Sequence, residues 1–145
     1  MKKNKLIVLL MLLLTMSLYM TGCNGSDNAN ASTTENAQTY QGDNNVLGEG
    51  QTEFTFTVVD AEGTETQFEI HTDKETVGEA LLELNLIAGD DSDYGLYVKT
   101  VNGITADYDK DQTYWAFYIN GEYASTGVDN TPVTAGDAYS FKVEK

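Results

Sequence analysis

Asp107, Asp109 and Asp111 stand at alternate positions in TADYDKDQTYWAFYING, residues 105–121. Carboxylates two residues apart are the first half of a calcium loop, which places oxygen ligands at its positions 1, 3 and 5. Such a loop also needs Gly at position 6 and a bidentate Glu at position 12. Here those positions hold Gln112 and Tyr118, and no helical pattern precedes them. The run therefore reads as a solvated acidic turn, and calcium is not expected as a bound ion. The alternative is a weak calcium site of another kind, to which Asp90, Asp91 and Asp93 could contribute if they lie nearby.

Other site chemistries find little material. Zinc asks for several Cys or His ligands, and the chain has one of each, Cys23 and His71. His71 ends a polar alternation and reads as a surface residue, so no metal site is expected. There is no Ser-centred nucleophile motif, and a lone histidine supplies few general bases. A carboxylate pair means little where acidic residues are so abundant. No catalytic residues are assigned, the chain is not expected to be an enzyme, and no cofactor is required.

The aromatic residues carry more information. Six tyrosines lie between Tyr94 and Tyr123, with Trp115 and Phe117 among them. If Tyr114–Ile119 is a strand, Trp115, Phe117 and Ile119 share one face, and Tyr114, Ala116 and Tyr118 share the other. The first set suits a core. The second makes an apolar shelf with phenolic tips, suited to a ligand that is part apolar and part hydrogen-bonding. Paired tyrosines on an exposed sheet would look the same.

These residues need a scaffold. Phe54, Phe56 and Val58 alternate with threonines; Phe68 and Ile70 alternate with Gln67, Glu69 and His71. With the turn-forming DAEGTE between them, they predict a hairpin. Val77, Ala80, Leu81 and Leu84 then fall on one helical stripe. Thr76 and Glu79 form a capping box at its start, and Gly78 predicts a short helix. Asn85–Asp93 reads as an acidic loop. LYVKTV (Leu96–Val101) and YWAFYI (Tyr114–Ile119) each run into Asn-Gly, the strongest short hairpin signal. AYSFKVE (Ala138–Glu144) is a last strand whose Tyr139, Phe141 and Val143 join the core. The predicted class is α+β: a β-grasp-like mixed sheet with one short helix packed on a face.

The amino terminus has a separate purpose. Lys2, Lys3 and Lys5 precede nine apolar residues, Leu6–Leu14. This is a secretory leader, too short to span a bilayer comfortably. Met20-Thr21-Gly22-Cys23 resembles a bacterial lipobox, which implies cleavage after Gly22 and acylation of Cys23. The expectation is a lipid anchor in the cell membrane, facing outward from the cytoplasm. The domain plan is then a lipoprotein signal peptide (1–22), a lipidated Cys23 with a flexible polar linker (23–50), and one small domain (51–145).

Charge narrows the partners. The chain has a formal net charge of −15 with 23 acidic residues, eight lysines and no arginine. Three of those lysines belong to the leader. Nucleic acid is excluded, since its binding rests on cationic neutralisation of phosphates. The missing guanidinium fork also disfavours phosphate and carboxylate ligands.

YGLYVKTVNGI, YWAFYINGEYAS and GVDNTPVTAGDAYSFKV together resemble the transcobalamin-like C-terminal domain family. That family occurs in bacterial surface lipoproteins and as the β-domain of animal cobalamin carriers. The matching positions are Tyr114-Trp115, Gly127-Val128, Pro132 and Gly136-Asp137. The resemblance covers most of 51–145 and implies a β-grasp-like fold. In the carriers the corrin ring is held between this domain and a separate helical domain, which is not found in this sequence. The ligand-facing parts are the Tyr-Trp strand region and the loop before the Gly-Ile pair. Carried over by position, they imply Tyr114, Trp115, Tyr118, Ala124, Ser125, Thr126 and Gly127. The carriers have larger apolar residues where Ala124, Ser125 and Thr126 stand. The functional expectation is a lipid-anchored ligand-binding module for cobalamin or another corrinoid, acting in binding or uptake. The alternative is a surface domain that docks to an envelope protein or a glycan and takes no small molecule.

Overall fold

The computed structural model describes residues 39–145. The expected leader, Cys23 and the linker as far as residue 38 lie outside the described residues. The described residues fall within a single compact unit.

Strands β2 (Thr52–Val59) and β3 (Glu65–Thr72) form the first hairpin, in register from Thr52↔Thr72 to Val59↔Glu65. The Asp60 carboxylate closes its turn by accepting the N–H groups of Glu62 and Thr64 at 2.9 Å each. The two-residue period puts Phe54, Phe56, Val58, Phe68 and Ile70 on one face, where all are buried. Two further long strands continue this sheet. β9 (Ala138–Glu144) runs parallel to β2 and antiparallel to β7 (Tyr114–Ile119). Short edge strands complete it: β1 (Asn45–Leu47), parallel to β3, and β8 (Glu122–Tyr123), antiparallel to β7. The order is β1-β3-β2-β9-β7-β8, a mixed sheet of six strands.

One face of that sheet is covered. Helix α1 (Val77–Glu83) starts at the expected capping box: Thr76 Oγ1 accepts from Glu79 N, and Glu79 Oε2 from Thr76 N, both at 3.2 Å. It buries Val77, Ala80 and Leu81. A second, antiparallel sheet lies beside it: β4 (Ile87–Ser92), β5 (Gly95–Val101) and β6 (Ile104–Thr105). Leu86, Ile87, Val98, Val101 and Ala106 join Trp115, Phe117, Tyr139 and Phe141 in one continuous core. The α+β class is as expected, with one short helix packed on the sheet.

Two stretches are more ordered than their composition suggests. Asn85–Asp93, expected as an acidic loop, contains β4, which pairs with β5 and has a bulge at Ala88/Gly89. Backbone pairing supplies what its polar side chains do not, and Gly89 makes the close approach possible: a Cβ there would lie 1.9 Å from the Tyr97 carbonyl oxygen. Residues 40–47, expected to belong to a flexible linker that reaches residue 50, are instead packed on the domain. Tyr40 gives its N–H to Asn102 Oδ1 (2.8 Å), and its carbonyl accepts Asn102 Nδ2–H (2.9 Å). Its ring meets Phe68 edge-on at 5.5 Å, and β1 follows on the edge of β3.

Candidate functional site

The opening acidic run holds itself together. Asp107 caps the one-turn helix α2 (Tyr108–Asp111), accepting the N–H of Asp109 at 3.1 Å. Lys110, 3.2 Å away, hydrogen-bonds Asp107 and holds its carboxyl below the usual range. The Asp111 carboxylate accepts the hydroxyl and N–H of Thr113, which lowers its pKa. Asp90 pairs with Lys99 at 2.5 Å, and Lys99 also lies 5.9 Å over the Tyr97 ring. Between these groups runs an open groove of about 380 Å³, with Tyr97 and Tyr108 in its walls.

The seven residues singled out by sequence divide into three places. Strand β7 alternates as expected. Trp115 points into the core, is only 6% exposed, and donates its indole N–H to the Ile104 carbonyl at 3.2 Å. It therefore lies on the opposite side of the sheet from Tyr114 and Tyr118, and the three do not make one surface. Its role is to fasten β7 to the small sheet.

Tyr114 and Tyr118 occupy the outer face, half-buried, with Ala116 fully buried between them. Tyr118 donates its hydroxyl to Glu144 Oε1 and meets Tyr123 edge-on at 5.7 Å across the hairpin. That hydrogen bond, then burial, pushes the Tyr118 phenol up to about 12. Burial, with Glu144 nearby, also raises Tyr114. The phenolic tip of Tyr118 thus already has a partner within the protein. Asn120 (φ 50) and Gly121 (φ 81) form the tight turn that sets this register.

Ala124, Ser125, Thr126 and Gly127 form a loop at a different position. Ala124 continues the hairpin, its N–H reaching the Phe117 carbonyl at 2.9 Å. Buried Thr131 supports the loop from beneath by donating its hydroxyl to the Gly127 carbonyl at 2.9 Å. Asp129, in the 3-10 turn Val128–Asn130, then ties this loop to the tip of the β4–β5 hairpin. Its Oδ2 accepts the Leu96 N–H at 3.1 Å. The packing needs glycines: a Cβ on Gly95 would lie 2.6 Å from Asp129 Oδ2, and one on Gly127 would lie 2.8 Å from Oδ1 and 3.9 Å from the Tyr94 carbonyl. Tyr94, absent from the sequence-derived set, is therefore held beside Gly127 and is 93% exposed. The loop and Tyr94 together make a rim at one end of the domain. Its sequence signal was Tyr94 next to Gly95, at the head of the YGLYVKTVNGI stretch and after the expected acidic loop.

Elsewhere on the outer face, one ligand atom from each of Glu53, Glu69 and His71 lies within 4.8 Å of the other two. Sequence reading placed His71 at the surface but did not bring the glutamates to it.

Residues 74–145 match the model of a domain of unknown function, DUF4430. A protein from Ruminococcus gnavus ATCC 29149, whose crystal structure at 1.30 Å carries the provisional name of a metal-binding protein, is 38% identical. The match covers 66% of this chain and 98% of that one, with a TM-score of 0.63. The chain belongs to the DUF4430 family. This is the transcobalamin-like C-terminal domain that the motifs indicated. Haptocorrin in complex with Cbi is similar at 20% identity over 65% of this chain and 25% of that one, with a TM-score of 0.49. That likeness is too slight to carry a ligand across. No curated protein sequence matches the chain. The capping box, the β4–β6 sheet, the rim and the Tyr114–Gly121 hairpin all lie within the DUF4430 match; the β2–β3 hairpin precedes it.

Proposed function

We propose that this DUF4430 protein is a lipid-anchored, extracytoplasmic ligand-binding module, and that its ligand is a corrinoid, cobalamin or cobinamide, met by the rim of Tyr94 and residues 124–127. The observation that carries the reading is the coupling made by Asp129: it sets the backbone at Tyr94, whose side chain is 93% exposed, next to a loop that corresponds by sequence position to the ligand-facing loop of the transcobalamin-like family. An exposed aromatic ring beside an exposed polar loop suits a large planar ligand with amide side chains. The lipobox-like Met20–Cys23 supports the anchor, and two or more acyl chains hold a protein stably where one does not. Orientation also fits. The chain enters the domain at Tyr40, bound to Asn102 just past the end of β5, whereas Tyr94 precedes its start. Seven residues of strand separate the two by about 20 Å, so the rim lies at the other end of β5 from the point of entry. One small domain offers one wall, and a partner domain would supply the other.

The test is calorimetry on residues 35–145, titrated with cobalamin and with cobinamide. Saturable heat that weakens about tenfold in Tyr94→Ala, with Tyr118→Phe unchanged, is the expected result. No saturation up to roughly millimolar ligand would retire the corrinoid reading. A second ligand class, a metal ion, takes its support from the provisional name of the Ruminococcus relative.

A further inference from the structure

Glu53 on β2 and His71 on β3 are direct partners across the first hairpin. Glu69 lies two residues before His71, so the strand period sets it on the same face. That face points away from the core, for Phe54, Phe68 and Ile70, which alternate with these residues, are buried. His71 Nε2 lies 2.7 Å from Glu69 Oε1, and a ligand atom of Glu53 completes a triangle no wider than 4.8 Å. Among the described residues no other three potential ligands converge this closely. Among those residues, too, the lysine ion pairs are Lys74–Glu83, Lys99–Asp90 and Lys110–Asp107, so neither glutamate of the triangle is neutralised by a lysine.

The geometry points to a binding site for a divalent transition metal ion of the zinc class, held by one imidazole nitrogen of His71 and one carboxylate oxygen each from Glu53 and Glu69. An imidazole with two carboxylates is a ligand set for zinc and its neighbours, whereas calcium and magnesium prefer oxygen alone. Ligands at about 2.1 Å from one tetrahedral ion lie roughly 3.4 Å apart. The side chains of Glu69 and His71 are 47% and 29% exposed, which leaves room for the small rotations that close the triangle. Water from the open side completes the coordination. Two paired strands fix the backbone positions of all three ligands, so little order has to be created on binding. The site deepens the metal-binding reading by giving it residues, and it is independent of the corrinoid rim.

The experiment titrates residues 35–145 with zinc ion alone, by calorimetry and by NMR of the imidazole. His71 is the chain's only histidine, so a single ring reports. Residues 35–145 lack Cys23 and thus any competing thiolate. One zinc per chain is expected, with the His71 ring signals moving in step with the heat. His71→Ala and Glu69→Gln should each weaken binding at least tenfold; both positions are on the outer face, so the fold survives. Calcium ion should leave the ring signals in place. Stoichiometric binding that persists in both variants would overturn the site while leaving metal binding at some other place intact. An absence of zinc uptake up to millimolar concentration would overturn both. Weak, non-saturating uptake that calcium reproduces would show diffuse association with a polyanion and would also overturn the site.

Discussion

Glu144 lies near the end of β9, opposite Tyr114 in register, and accepts the hydroxyl of Tyr118. The carboxylate favours the neutral phenol, so Tyr118 keeps its proton up to about 12 where an unperturbed tyrosine ionises near 10. The folded state then binds one more proton than the unfolded state between those values. Stability from this contact is fully present below pH 10 and is lost as pH rises toward 12. In Glu144→Gln, phenolate absorbance should show one tyrosine titrating earlier than in the parent, and the high-pH decline in melting temperature should shrink. Identical titration curves would mean that the hydrogen bond does not persist in solution. A second residue-level prediction concerns the rim. Gly95 has φ +103, and a Cβ would meet the Asp129 carboxylate. Gly95→Ala should cost about 1–3 kcal/mol in urea unfolding through backbone strain. If the rim meets the ligand, this variant should also weaken corrinoid binding although it contributes no ligand contact of its own.

At the scale of elements, α1 presents a case where propensity and packing disagree. Glycine inside a helix costs roughly 1 kcal/mol relative to alanine, so Gly78→Ala should stabilise an isolated helix. Here a Cβ would lie 2.7 Å from the Asp129 Cα, a backbone atom that cannot swing aside. Gly78→Ala should therefore destabilise the protein by about 1–3 kcal/mol, in keeping with other overpacked positions. A rise in melting temperature would show that the 3-10 turn gives way. The amino-terminal edge supplies a companion test. Starting the chain at residue 51, the boundary expected from composition, removes Tyr40 and β1 and leaves Asn102, 1% exposed, without the partners for its side chain. That truncation should lower stability by about 2–4 kcal/mol relative to residues 35–145. These two elements also show where sequence was legible. Thr76 with Glu79, the two Asn-Gly turns and the alternating aromatics act locally, and each element they announce is present. β1 and β4 owe their existence to backbone pairing with neighbours distant or polar in sequence, and their residues (NVL, IAGDDS) carry almost no periodic signal. The rim and the Glu53–Glu69–His71 triangle depend on register and on one long-range carboxylate bond. Only the three-dimensional pairing reveals them.

For the whole molecule the dominant electrostatic fact is imbalance: 23 acidic residues, no arginine, and eight lysines, three of them within the first five residues. The ion pairs of the described residues are few and mostly exposed; Lys74 and Glu83, for example, are 45% and 59% exposed at 3.5 Å. Pairs of that kind contribute about 0–1 kcal/mol each. Repulsion among the remaining carboxylates is summed over the molecule and opposes the compact state. Salt weakens both effects, but the many unpaired like charges outnumber the pairs. With a screening length of about 30 Å at 0.01 M and about 3 Å at 1 M, the balance should shift toward stability as salt is added. The melting temperature of residues 35–145 at neutral pH should rise by several degrees across that range, equally in sodium and potassium chloride. A further rise produced by micromolar zinc at constant ionic strength, and absent in His71→Ala, would separate occupation of a site from screening. A melting temperature that falls with salt would mean that the Lys99–Asp90 and Lys110–Asp107 pairs outweigh the repulsion, and that the acidic surface is organised more tightly than its exposure suggests.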